Sequence, residues 1–188
     1  MPPKPRITRE DIVNTAIALI RASGAEALNA RAIAACLCCS TQPIFSNFHT
    51  MEELQQATAA AAYEIYLDFL KRESQSGKYP QYKSFGMAYI RFAREEKELF
   101  KLLFMCDREG KDLTPKVDFD ASVALIMHAN GITREKAELI HLEMWACVHG
   151  IATMHATSFL TLRWELISDM LTDVYSGIRA RHKEQGGV

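Results

Sequence analysis

Apolar residues recur along most of this chain at intervals of three and four, the period of a helix face. No segment alternates singly over the length of a strand. The first helical run covers residues 8–23, with Ile12, Ala16, Leu19 and Ile20 on one stripe. Thr8 is a suitable N-cap with Asp11 three residues on, and Ile7 and Ile12 can close a hydrophobic staple across it. Ser23-Gly24 supplies the stop. Asn29 predicts the cap of a second, short helix whose inner face carries Ile33 and Leu37. Ser40 predicts the cap of a third, with Pro43 in a first turn where a missing N–H costs little. Thr50-Met51-Glu52-Glu53 has the form of a capping box. Neither glycine nor proline interrupts the chain from there to Glu73, so the fourth helix is expected to be long.

Gly77 and Pro80 mark residues 75–82 as a connector. Phe85, Tyr89, Ile90 and Phe92 then suit one helical face, and Leu99, Phe100, Leu103 and Phe104 a second. A charged loop over 107–116 leads to a helix near 119–129, which Asn130-Gly131 ends. Thr133 can cap a long helix to about residue 158, and a last helix spans roughly 163–182. The pattern predicts an all-α fold of about nine helices with no sheet.

Short helices over about 30–37 and 41–48, joined by a tight bend, make a helix-turn-helix, with the first helix completing a three-helix unit. At 100° per residue, Thr41, Ile44, Phe45 and Phe48 share one side of the later helix. Gln42, Pro43, Ser46 and Asn47 share the other. A helix this short is stable only when docked, so the apolar side must face the protein. The outward side carries short polar groups without acidic charge, which can approach phosphates and base edges.

Composition narrows the class. Of 188 residues, 48% are apolar and 24% charged, as in ordinary globular proteins. No apolar run approaches the ~18 residues of a membrane span. The start, MPPKPRITRED, has no apolar stretch behind its basic residues, so a cytoplasmic location with reduced cysteines is expected. The net charge of −1 is unevenly spread: residues 1–51 hold five Lys/Arg against three acids, and the remainder 17 against 20. A basic excess beside the helix-turn-helix suits a nucleic-acid contact.

Three of the five cysteines, Cys36, Cys38 and Cys39, fall within the bend. They can pack as small apolar residues, act as sensing thiols, or ligate metal, although C-x-C-C lacks the usual zinc spacing. Catalysis finds no motif: no nucleophile elbow, dinucleotide fingerprint, P-loop or His pair at i, i+4 is present. His128, His141, His149 and His155 read as structural, and Asp118 and Asp120 as a solvated loop. No cofactor or metal is expected.

The runs "ITREDIVNTAIALIRASGAEALN" and "RAIAACLCCSTQPIFSNFHTMEEL" resemble the DNA-binding segment of the TetR family of bacterial transcriptional regulators. "YIRFAREEKELFKLLFM" and "WACVHGIATM" are similar to the regulatory domains of one branch, in which Trp, His and Gly recur at this spacing. The resemblance implies a DNA-binding domain over 6–68 and an effector-binding and dimerisation domain over 69–188. It implies a homodimeric repressor that binds a palindromic double-stranded operator and is released by a small-molecule effector. The alternatives are a thiol sensor using Cys36, Cys38 and Cys39 on the same fold, or a helical interaction module without DNA.

Position by position, the resemblance assigns DNA contacts to Arg31, Thr41, Gln42, Pro43, Phe45, Ser46, Asn47 and Thr50. Lys4, Arg6 and Arg9 would steer an N-terminal arm. Cys39 stands where the family has a small apolar plug, and Cys38 where it has glycine at a positive-φ turn. Phe45 and Met51 depart from a tyrosine and a lysine that relatives use on phosphates. Phe85, Tyr89, Phe92, Phe104, Met127, Trp145 and His149 are candidates for an apolar effector pocket or for plain core. The segments 134–158 and 163–182 would form a four-helix bundle across the dimer axis. Ile140, Met144, Val148 and Ile151 supply one stripe, and Leu166, Ile167, Met170, Leu171 and Val174 the other, serving this bundle, the chain's own core, or both.

Overall fold

The structure, a computed structural model, describes residues 7–106 and 116–184, with side chains described to Cys106 and from Phe119 to His182. Among these residues there are nine α-helices, one 3-10 turn (Ala25–Ala27) and no strand. The helices are α1 (Arg9–Ser23), α2 (Ala30–Cys36), α3 (Gln42–Asn47), α4 (Met51–Gln75), α5 (Gln81–Glu95), α6 (Lys97–Phe104), α7 (Lys116–Asn130), α8 (Arg134–Ala156) and α9 (Trp164–Glu184). The all-helical expectation holds. Of the expected loop over 107–116, residues 107–115 lie outside the described residues and Lys116 opens α7; Lys4, Arg6 and the side chain of Asp118 also lie outside them. Asp120 stands in α7. No described helix is long and apolar enough to cross a membrane.

The chain divides into two compact units, Met1–Leu67 with Glu96–Cys106 and Asp68–Glu95 with Asp107–Val188. In the first, α1 opens on a complete capping box. Thr8 Oγ1 accepts from the Asp11 N–H at 3.1 Å, and the Asp11 carboxylate accepts from the Thr8 N–H at 2.9 Å. Those bonds hold the Asp11 carboxyl below its ordinary pKa. Ile12, Ala16, Ile17 and Ile20 are the buried stripe. Leu19, expected in it, is only half-buried, because Ile17 lies closer to the inward meridian. Gly24 ends α1 at φ +81°, a conformation that needs glycine. Arg21 clamps Glu96 through two bonds of 2.8 and 2.7 Å, and α6 buries Leu99 and Phe100 within this same unit.

In the second unit α5 packs mainly on α8, which also meets α7 and α9. Met87, Ala88, Tyr89, Ile90, Phe92 and Ala93 face inward from α5. A Cβ on Gly86 would stand 3.2 Å from Val148 Cγ2, so an added side chain would require Val148 to give way by a few tenths of an ångström. Arg91 pairs with the buried Glu73 at 2.6 Å.

On α8 the stripe offered for the dimer or the core is taken up by the chain's own core. Ile140, Met144, Val148 and Ile151 are buried within the chain. The large apolar residues that α8 leaves exposed are Leu139, Leu142 and Trp145, with Leu166 on α9. Ile167 and Leu171 of α9 are buried, while Met170 and Val174 are half-buried.

Candidate nucleic-acid interface

The first unit assembles the interface from the bend outward. Asn29 caps α2, its side-chain oxygen accepting from the Ala32 N–H at 2.9 Å. The end of α2 is closed by two crossing bonds, Cys39 N–H to the Ala34 carbonyl at 2.9 Å and Cys38 N–H to the Ala35 carbonyl at 3.2 Å. This is a Schellman motif, and its left-handed residue is Cys38 at φ +50°. Cys38 therefore does the work of a glycine, at some steric cost. Cys36 and Cys38 are exposed and Cys39 is half-buried, so Cys39 plugs the bend incompletely. Among the described residues no three His, Cys, Asp or Glu side chains could jointly hold a metal ion.

Thr41, rather than Ser40, is the N-cap of α3, and it makes no side-chain capping bond. Pro43 in the first turn removes one of the orphan donors that such a cap would serve. Ile44 and Phe48 are fully buried and pin α3 to the unit. Phe45 does not follow them inward. It is 47% exposed, on the same side as the exposed Gln42 and Ser46. With only six residues in α3, the docking of Ile44 and Phe48 sets its rotation, and Phe45 lies just beyond the buried arc.

The polar groups near α3 have divided roles. Ser46 Oγ donates back to the Gln42 carbonyl at 2.9 Å. The Asn47 amide turns inward, donating to the Pro43 carbonyl at 2.8 Å and to the Ile7 carbonyl at 3.5 Å. Arg9 belongs to α1 and not to an arm. It donates to the Asn47 carbonyl at 2.8 Å, pairs with Glu53 at 2.9 Å and lies 3.9 Å over the Phe48 ring. At the start of α4, Thr50 Oγ1 accepts from the Glu53 N–H at 3.1 Å. The Glu53 carboxylate accepts from the His49 N–H at 2.8 Å, one residue beyond the Thr50 N–H that a reciprocal box would use. That bond first, and Arg9 second, hold the Glu53 carboxyl below its ordinary pKa.

Outward there remain Arg31, Gln42, Phe45, Ser46, His49 and Thr50, all exposed, with Thr41 and Pro43 half-buried beside them. Arg31 makes no ion pair among the described residues. The outward surface of α3 itself carries no acidic side chain.

The candidate pocket residues are only partly gathered. Tyr89 and His149 share a hydrogen bond of 2.9 Å from hydroxyl to Nδ1, and Trp145 stacks on His149 at 4.8 Å with its outer face 45% exposed. Phe85 is half-buried on α5. Phe92 is fully buried, edge-on to Phe69 at 5.3 Å, which is core packing. Met127 packs in a separate cluster around Val123, Ile126, Ala137 and Ile140. Phe104 lies in the other unit, edge-on to Tyr66.

Around the Met127 cluster is a polar-aromatic network that the sequence reading missed. Tyr82 Oη meets His141 Nδ1 at 3.0 Å, and Asn130 donates to Tyr175 Oη at 2.9 Å. Burial pushes the Tyr82 hydroxyl's pKa up and that of His141 down. The signal was present but assigned elsewhere: Tyr82 to the connector and Asn130 to the stop. An open groove of about 590 Å³ runs along α1 beside Cys36 and Leu37, and none of the candidate pocket residues lines it.

A helix-turn-helix whose short third helix is anchored by Ile44 and Phe48, joined through α4 to a second helical unit, defines the class. Residues 82–174 match the family described as tetracyclin repressor-like, C-terminal domain. No curated protein matches the chain. A solved structure of a protein of unknown function from Rhodococcus sp. RHA1 shares the fold with a TM-score of 0.72 and 19% identity, over 96% of this chain and 98% of that one. A TetR-like transcriptional regulator from the same organism shares it with a TM-score of 0.65 and 16% identity, over 99% and 100%. Residues 82–174 thus belong to the tetracyclin repressor-like C-terminal domain family, and the chain as a whole has the fold of a TetR-like regulator.

Proposed function

We propose that the chain is a homodimeric, cytoplasmic transcriptional repressor that binds a palindromic operator and is released by a small-molecule effector. In this reading residues 6–68 bind DNA and residues 69–188 bind the effector and form the dimer. The observation that carries it is the outward surface of the helix-turn-helix. Arg31 and Gln42 stand exposed beside an α3 that is pinned from behind by Ile44 and Phe48. Arg can bond guanine bidentately in the major groove and Gln can do the same with adenine. Thr41, Pro43, Phe45, Ser46 and Thr50 flank them. Asn47 contributes by bracing the helix, since its amide is already bonded inward.

One such helix reads one half-site, so specific binding needs two copies about 34–36 Å apart. Leu139, Leu142 and Trp145 recur at every third residue on α8, and with Leu166 they offer the apolar cover that two copies could share. The polar pair Tyr89–His149 behind Trp145 is the best-supported place for an effector to bond.

The test is selection of duplexes from a random pool, followed by affinity measurement. An inverted repeat is expected, bound with steep salt dependence. Arg31→Ala and Gln42→Ala should each weaken binding roughly tenfold, about one bidentate contact, with helicity unchanged. Recovery of no preferred duplex would remove the reading. The thiol-sensor alternative has the exposure of Cys36 and Cys38 in its favour. Operator affinity unchanged by mild oxidation would eliminate it.

A further inference from the structure

We propose that Phe45 is a specificity-determining residue whose ring reads the 5-methyl group of a thymine in each half-site. This rests on the regulator reading above and deepens it by naming a base.

Phe45 is 47% exposed on a six-residue helix, while Ile44 and Phe48 on either side of it are fully buried. No ring of a described residue packs against it. Its companions on the outward surface are short and polar. Ser46 spends its hydroxyl proton on the Gln42 carbonyl, and Asn47 spends its amide on Pro43 and Ile7. Of the polar side chains within α3, the Gln42 carboxamide alone makes no hydrogen bond among the described residues. What α3 presents is therefore chiefly one amide and one phenyl ring, with Pro43 half-buried beside them.

The floor of the major groove offers hydrogen-bonding edges and one apolar feature, the thymine methyl. A phenyl ring can neither donate to a phosphate nor accept from a base. Laid on a guanine or cytosine edge, it would strip water from polar groups without replacing the bonds. Laid on a thymine methyl, it buries apolar surface on both partners, and the gain is about that of one methylene group. Gln42, one turn away on the same surface, suits an adjacent adenine, so the two side chains together favour an A·T-containing half-site.

The experiment takes the duplex selected with the wild-type chain and replaces each thymidine of one half-site singly by deoxyuridine, which deletes only the methyl. Affinities are measured for the wild type and for Phe45→Ala. At one position the wild type should lose about fourfold, and Phe45→Ala should lose nothing further there. Because the uracil series uses the unaltered protein, the result does not depend on how well the variant folds. Sequence-specific, salt-sensitive binding that ignores every thymine-to-uracil change would overturn the proposal and leave the regulator reading standing. So would a methyl effect that persists undiminished in Phe45→Ala. Failure to bind any preferred duplex would overturn both.

Discussion

Cys38 shows how a single backbone angle governs the bend that orients α3. Its φ of +50° is a left-handed conformation in which a Cβ costs about 1–2 kcal/mol, against about 0.5–1 kcal/mol for the extra freedom glycine has when unfolded. Cys38→Gly should therefore raise the unfolding free energy by about 0.5 kcal/mol. An increase in the denaturant midpoint at constant slope would show it, and a decrease would mean that the thiol packs usefully. The cysteine cluster was legible from sequence as a bend, and Cys38 as its positive-φ residue. The outward turn of Phe45 and the bracing bonds of Asn47 and Arg9 were not legible. Phe45 falls near the boundary of a helical projection, and a shift of tens of degrees in how the helix docks moves it from core to surface. Asn47 and Arg9 are committed by partners 38 to 44 residues away, or by the Ile7 carbonyl, which no local pattern encodes.

At the scale of elements, α8 is the instructive case. It carries apolar residues on two sides, so periodicity alone could not say which side a second copy would use. Ile140, Met144, Val148 and Ile151 are taken up by the chain's own core, and Leu139, Leu142 and Trp145 are left outside. Leu142 is 57% exposed in the single chain, so a glutamate there costs the protomer little. Leu142→Glu is expected to convert dimers to monomers in sedimentation while leaving far-UV helicity unchanged. Dimers that persist would relocate the interface. The contact of α5 with α8 carries a second prediction through Tyr82 and His141. Burial lowers the pKa of His141 in the folded state below its ordinary 6.5. The folded protein thus binds this proton less readily than the unfolded chain, and its stability is complete above about pH 6.5. It should fall as pH drops from there towards the lowered value, and no further below it. Protonation would also end the capacity of Nδ1 to accept from Tyr82. A denaturant midpoint followed from pH 7.5 to 5.5 should decline less in His141→Gln than in the wild type.

For the whole molecule, charge sets what the fold can do with a polyanion. Met51, the first residue of α4, stands where the family resemblance implies a lysine, and Thr50 beside it is exposed. Met51→Lys should tighten binding to unrelated duplexes and steepen the salt dependence by about one counterion. An unchanged slope would put Met51 away from the phosphates. The sequence by itself determined the helical class, the order and approximate bounds of the helices, the helix-turn-helix, and the family resemblance of both ends. Those features follow from local periodicity, caps and turn residues, which act within a few positions of one another. Tertiary structure alone decided which side of α8 remains uncovered, that α6 packs into the first unit, that Arg9 and Asn47 brace and do not reach outward, and that Phe45 faces away from the core. Each of these is settled by packing between residues far apart in the chain, where a rotation of one helix exchanges inside for outside without altering any local signal.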